Sequence, residues 1–258
     1  MPGWILILVS IISIALYPSS INDGIELFKA KKFQKAYEVL KPYANQGDRV
    51  AQFYIGLLYD MGSIALMDKN RATKWYQKAA KQGLETAEYD MGVMLSKGEG
   101  IYKDLKEAIY WYKRAASKGH RYAMYNLGVI YQRGYGVDID INRSIDYYTK
   151  AANLGVAKAY YNLATIYENG DGIKADIQKA FNFYQKASNL NHPKAQYHLG
   201  YMYEYGIGVK RDINMAKYWY KSATVGGNKD ALREYMKMLD INSSEYKFWS
   251  EYIKRANY

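Results

Sequence analysis

Ser244 stands one helical turn before Lys247, in the run Ser-Glu-Tyr-Lys. That spacing would let a lysine amine help activate a serine hydroxyl, as in penicillin-recognising enzymes. Neither Lys-Thr-Gly nor Ser-Asp-Asn accompanies it, so the pair reads as coincidence. The three histidines, His120, His192 and His198, include no i, i+4 pair for a helical zinc site, and there is no His-Glu-x-x-His. Cysteine is absent, which excludes disulfides, thiolate metal sites, a cysteine nucleophile and a lipoprotein-type cysteine. No Gly-x-x-x-x-Gly-Lys-Ser/Thr phosphate loop occurs, and the Gly-x-Gly pairs end helices instead of following strands. No catalytic residue, metal or cofactor is therefore expected.

The elements that would position any site come from a repeat. Five blocks of 36 residues begin at Ala51, Ala87, Ala123, Ala159 and Ala195, without insertion or deletion. In each, a first helix (A) carries small or apolar residues at block positions 1, 5, 8 and 9, such as Ala123, Leu127, Ile130 and Tyr131. Glycine follows at position 12 (Gly62, Gly98, Gly134, Gly170, Gly206), suited to the left-handed conformation that ends a helix. A second glycine at position 14 tightens the turn in four blocks; Ile64 replaces it in the first, whose loop should differ.

Aspartate stands at position 18 in all five blocks: Asp68, Asp104, Asp140, Asp176 and Asp212. Such a series could be read as catalytic or metal-binding. At the threshold of a second helix (B) it reads as an N-cap that accepts the helix's free amides. Helix B has a stripe of alanine at positions 22 and 29, an aromatic at 25 and tyrosine at 26, as in Ala108, Trp111, Tyr112 and Ala115. Helical spacing explains the stripe as core rather than as an aromatic ligand box. Helix B ends at Gly83, Gly119, Gly155, Asn191 and Gly227. Neither helix would be stable alone, so the pairs must stack.

The pattern Ala-x-x-x-Leu-Gly-x-x-Tyr-x-x-Gly-x-Gly-Val-x-x-Asp-x-x-Lys-Ala-x-x-Trp-Tyr-x-Lys-Ala-Ala-x-x-Gly resembles the Sel-like repeat, a relative of the tetratricopeptide repeat. The resemblance implies an all-α, right-handed superhelical solenoid of helix–turn–helix units. An irregular pair spans 24–50, five full repeats span 51–230, and capping helices span 231–258, with Lys237, Glu245, Lys247, Lys254 and Arg255 on the outer face. It also implies a non-enzymatic adaptor that takes a protein or peptide in a concave groove lined by helix A; some cysteine-rich members have been discussed as β-lactamase-like.

Block positions 4, 7 and 11 share one face of helix A and vary between blocks. They give Asp90, Val93 and Lys97; Asn126, Val129 and Arg133; Asn162, Thr165 and Asn169; and His198, Tyr201 and Tyr205. Asn126, Arg133, Asn162, Asn169, His198, Tyr201 and Tyr205 form the candidate binding set. Its amides would hydrogen-bond an extended backbone, and its tyrosines would anchor an interface.

The formal charge is +11. It suits a solvated surface or, alternatively, an anionic envelope polymer. Basic and acidic residues are interspersed, which argues against a nucleic-acid groove. Residues Trp4 to Tyr17 are uncharged and apolar, too short for a membrane span of roughly 20 residues. They fit a secretory signal peptide within residues 1–20, although no Lys or Arg precedes them. Export to the periplasm or outside the cell is expected. The alternative is an uncleaved membrane tether, the chain's only contact with a membrane.

Overall fold

The structure, a computed structural model, describes residues 20–64 and 67–255. The expected signal or tether therefore lies, apart from Ser20, outside the described residues. So do residues 256–258 of the expected cap and residues 65–66 of the first-block loop, which carries Ile64. Fourteen helices and no strand occur among the described residues. None of these helices is long and apolar enough to cross a membrane.

The chain divides into two compact units, one ending at Asp104 and the other starting at Leu105. The first contains α1 (Ile21–Lys29), α2 (Phe33–Asn45), α3 (Arg49–Asp60), α4 (Lys69–Lys81) and α5 (Glu85–Lys97). The second contains α6 (Leu105–Ser117), α7 (Arg121–Arg133), α8 (Ile141–Asn153), α9 (Ala157–Asn169), α10 (Ile177–Asn189), α11 (Pro193–Tyr205), α12 (Ile213–Val225), α13 (Lys229–Lys237) and α14 (Ser244–Arg255). From α7 to α13 each helix packs on the next, as it does from α1 to α5. This is a solenoid of A and B helices in alternation.

The helix ends follow from the residue types. Gly98, Gly134, Gly170 and Gly206 end helix A in the left-handed conformation, and Asn191 adopts it at the end of α10 with φ 57°. The side chains of Asp68, Asp140, Asp176 and Asp212 accept from the amides of Arg71, Arg143, Lys179 and Met215 at 2.9–3.0 Å. In all five blocks the amide at position 18 donates to the carbonyl at position 9, for example Asp140 to Tyr131 at 2.9 Å. That bond closes the loop between the helices. The Asp140–Arg143 ion pair adds little because Arg143 is well exposed. Asp140→Ala should thus cost about 1 kcal/mol of stability, read by urea unfolding, almost all of it from the lost cap.

The core is a stripe of small and large residues. Tyr76, Tyr148, Tyr184 and Tyr220 of helix B are almost wholly buried, as are Ala79, Ala151, Ala187 and Ala223 one turn on. Each cluster draws on consecutive helices: Phe181 and Tyr184 of α10 pack with Ala164 of α9, Leu199 and Met202 of α11 and Trp219 of α12. Stacking thereby turns individually unstable helices into adjoining apolar clusters in the second unit, which meet at Tyr160, Phe183 and Tyr203.

Candidate functional site

The helix B tyrosine reaches its buried position because helix A offers it a flat surface. A Cβ at Gly56, Gly128 or Gly200 would lie 2.7, 2.5 or 2.8 Å from the ring of Tyr76, Tyr148 or Tyr220. The ring therefore rests on the glycine backbone, and its hydroxyl extends toward the next turn of helix A. There Tyr148 donates to Gln132 Oε1 at 2.8 Å, Tyr184 to Glu168 Oε2 at 2.5 Å and Tyr220 to Glu204 Oε2 at 2.7 Å. Tyr76 donates to Asp60 Oδ2 at 3.3 Å. These acceptors occupy block position 10, four residues after the glycine position.

Position 4 of the following block meets the same hydroxyl. His198 stacks on Tyr184, with ring centroids 4.8 Å apart and planes 8° from parallel, and its Nδ1 lies 3.9 Å from Glu168 Oε2. Burial holds this imidazole below its ordinary pKa, against the opposing pull of Glu168. Burial raises the Tyr148 hydroxyl, and Asn162 offsets part of that rise by hydrogen bonding. In the first unit, Asp90 faces Asp60 and Tyr76; burial first, then the Asp60 charge, pushes its carboxyl up to about 7. The hydroxyl, the position 10 acceptor and the position 4 side chain make a recurring polar triad at the seam between blocks. Tyr184→Phe would leave Glu168 without its buried donor. It should cost about 1–2 kcal/mol in chemical denaturation.

Of the candidate binding residues, Asn126, Asn162 and His198 are half-buried, while Arg133, Asn169, Tyr201 and Tyr205 are exposed. Arg133 and Asn162 share one opening of about 500 Å³ between α7 and α9, with Val129, Thr165 and Tyr148 around it. Tyr161 also lines it and turns an edge to His198 at 5.8 Å between centroids. Tyr201 and Tyr205 form an exposed pair 4.6 Å apart. Asn126 and Asn169 do not line the opening. Chemically, the face offers a guanidinium, amides and two aromatic rings, a set suited to a peptide backbone and its side chains.

Two further histidine roles escaped sequence reasoning. His120 and His192 are N-caps: their Nδ1 atoms accept from the amides of Ala123 and Ala195 at 3.1 and 3.2 Å. Accepting requires a neutral ring. Burial, helped by Lys158 and Lys194, pushes His192 down to about 4. The available signal was positional, because Asp48 and Asn228 cap α3 and α13 from the same register. Ser244 and Lys247 are both exposed on α14, and none of the described hydrogen bonds joins them. No cluster of metal-ligating side chains occurs among the described residues.

The Sel1 repeat pattern matches residues 49–84, 86–120, 121–156, 157–192 and 193–226. Among solved structures, a Sel1 repeat protein from Oxalobacter formigenes is 30% identical, with a TM-score of 0.83 over 92% of this chain and 100% of that one. The protein c5321, described as a protective antigen of uropathogenic Escherichia coli strains with an SLR fold, is 28% identical with a TM-score of 0.81. The match covers 86% of this chain and 49% of c5321, so the chain spans about half of that protein. The immunity protein Pa5087 from Pseudomonas aeruginosa shares the fold at 20% identity, with a TM-score of 0.50 over 78% of this chain and 81% of that one. No curated protein matches. Five tandem matches over most of the helical array place the chain in the Sel1 repeat family, whose members generally act as protein-interaction scaffolds.

Proposed function

We propose that this chain is an exported, non-enzymatic adaptor that binds a protein or peptide on the helix A face of α7, α9 and α11. The observation that carries the reading is the surface there: Arg133 and Asn162 at a shared opening, followed by the exposed Tyr201–Tyr205 pair. Exposed paired aromatics supply contact area at low entropic cost, and arginine beside them supplies specificity. Export rests on the apolar, uncharged stretch from Trp4 to Tyr17.

The test uses the full chain as bait for envelope proteins, beside a variant carrying Arg133→Ala, Tyr201→Ala and Tyr205→Ala. These side chains are exposed, so the variant should unfold at the parent's urea midpoint. A partner bound by the parent and lost by the variant supports the site. Equal capture by both moves it elsewhere. The formal charge of +11 favours a second reading, an anionic envelope polymer as ligand. Polymer retention that vanishes at high salt, with no protein captured, would support that reading instead. Intact-mass measurement of the secreted or cell-bound protein reports whether the first residues are removed.

A further inference from the structure

Ser188 Oγ and Trp219 Nε1 are buried in the second unit without a hydrogen-bond partner. Ser188 is 1% exposed and Trp219 8%. Such atoms normally cost stability, so each asks for a cause. In both cases the cause is a departure from the repeat. The equivalent Trp111 donates its indole N–H to Glu107 Oε1 at 3.2 Å, and Met215 replaces that glutamate beside Trp219. Ser188 stands where three other blocks have Ala80, Ala116 and Ala152, and where the last has Thr224, whose hydroxyl donates to the Tyr220 carbonyl at 2.8 Å as the Ser188 hydroxyl does not. A third departure lies beside them. In the first unit Gln82 donates to Gln52 Oε1 at 2.9 Å, but for the equivalent Gln196 the position of Gln82 is held by Gly226.

The three departures converge on one opening of about 680 Å³ between α10, α11 and α12, which Ser188, Gln196 and Trp219 all line. Asn189, Asn191 and Ser222 add amides and hydroxyls, each able to donate and accept. Tyr218 stands at the rim, 57% exposed and edge-on to Trp219 at 4.9 Å. The one cation, Lys221, is already paired with Glu245 at 2.7 Å, so the site has no free positive charge to select an anion. Val225, the one aliphatic residue of the lining, is 72% exposed, so no apolar pocket waits for a peptide side chain.

We infer that this opening binds a neutral sugar unit of a glycan. Ring hydroxyls would exchange hydrogen bonds with the amides and Ser222 at the mouth and, once a small displacement of the lining uncovers the two buried atoms, accept from Trp219 Nε1 and pair with Ser188 Oγ, while the apolar sugar face lies on Tyr218. The site is separate from the helix A face proposed above and does not depend on it.

The test is a titration of the full-length, ¹⁵N-labelled protein with uncharged N-acetylglucosamine oligomers and, separately, uncharged glucose oligomers. The readout is the indole N–H resonance that disappears in Trp219→Phe. A saturable shift of that resonance with one of the two sugar series is expected. Trp219→Phe and Ser188→Ala, followed by backbone amides, should each weaken binding roughly threefold to tenfold. Ser188→Ala restores the residue usual at this position, so its unfolding midpoint should equal or exceed the parent's. That keeps the variant informative about binding alone. No saturable shift with either series at millimolar sugar would overturn the proposal. So would affinity unchanged in both variants, tighter binding of a uronic-acid oligomer, or a response only to uncharged peptides.

Discussion

Gly128→Val should destabilise the second unit by about 3 kcal/mol in urea unfolding, although valine is an ordinary residue for a helix. The reason is the flat contact with Tyr148. A Cβ at Gly128 would sit 2.5 Å from Cδ1, 2.6 Å from Cε1 and 2.9 Å from Cγ of that ring. The ring cannot retreat, because Tyr148 is fully buried and its hydroxyl is tied to Gln132. Helix A must then move off helix B, and the whole interface between α7 and α8 loosens. Block four shows how much the contact can absorb. There Ala164 replaces the glycine, and both it and Tyr184 remain wholly buried. One methyl is thus accommodated where the surrounding helices have adjusted to it, so the branched side chain is the decisive substitution. A double-mutant cycle with Tyr148→Leu tests the mechanism. If the clash is the cause, the two changes together should cost at least 1 kcal/mol less than their sum. Additive costs would mean that the valine acts through something other than the ring.

The residues that were legible in sequence are those whose job is local. The position 18 aspartates and the helix-ending glycines act on amides and dihedral angles within a few residues, so their identity alone discloses their role. The position 26 tyrosines were legible as core for the same reason, through helical spacing. Their hydrogen-bond acceptors were not. Asp60, Gln132, Glu168 and Glu204 are of three side-chain types that share only the ability to accept, and reading a repeat by identity hides a shared function carried by different residues. The position 4 side chains were hidden by a related effect. They vary between blocks, which reads as freedom, yet Asn162 and His198 are each matched to a tyrosine and an acceptor that precede them in the chain. Only stacking brings those three positions together. The exposed members of the candidate set, Arg133, Asn169, Tyr201 and Tyr205, remain the ones free to meet a partner. The caps His120 and His192 are hard to read in sequence because histidine is a rare N-cap, although its lone pair serves a helix amide as a carboxylate does.

The same seam makes the protein sensitive to pH in its first unit, and Asp90→Asn should remove that sensitivity. Asp90 titrates at about 7 in the folded protein against an ordinary value of 3.8. Between those values the folded chain holds a proton that the unfolded chain has released. Stability therefore falls as pH rises from about 4 to 7, and it stays reduced above 7, where both states are ionised. Three pH units of displacement correspond to about 4 kcal/mol at most. The groups around Asp90 explain the direction. It is shielded from water beside Tyr76 and faces the Asp60 carboxylate, whose own countercharge, Lys69, ion-pairs on Asp60 rather than on Asp90. Asparagine keeps the shape and hydrogen-bonding capacity without the charge, and it is the residue that later blocks carry at this position, as Asn126 and Asn162. The variant should match the parent near pH 4 and exceed it by about 2–4 kcal/mol at pH 8, measured as the difference in urea unfolding across that range. Asp60→Asn supplies the independent check. Removing the facing charge should shift the parent's decline to lower pH without abolishing it, because burial remains. A difference between Asp90→Asn and parent that stays constant from pH 4 to 8 would show that Asp90 keeps its ordinary pKa in the folded protein, and that the seam tolerates two carboxylates facing one tyrosine.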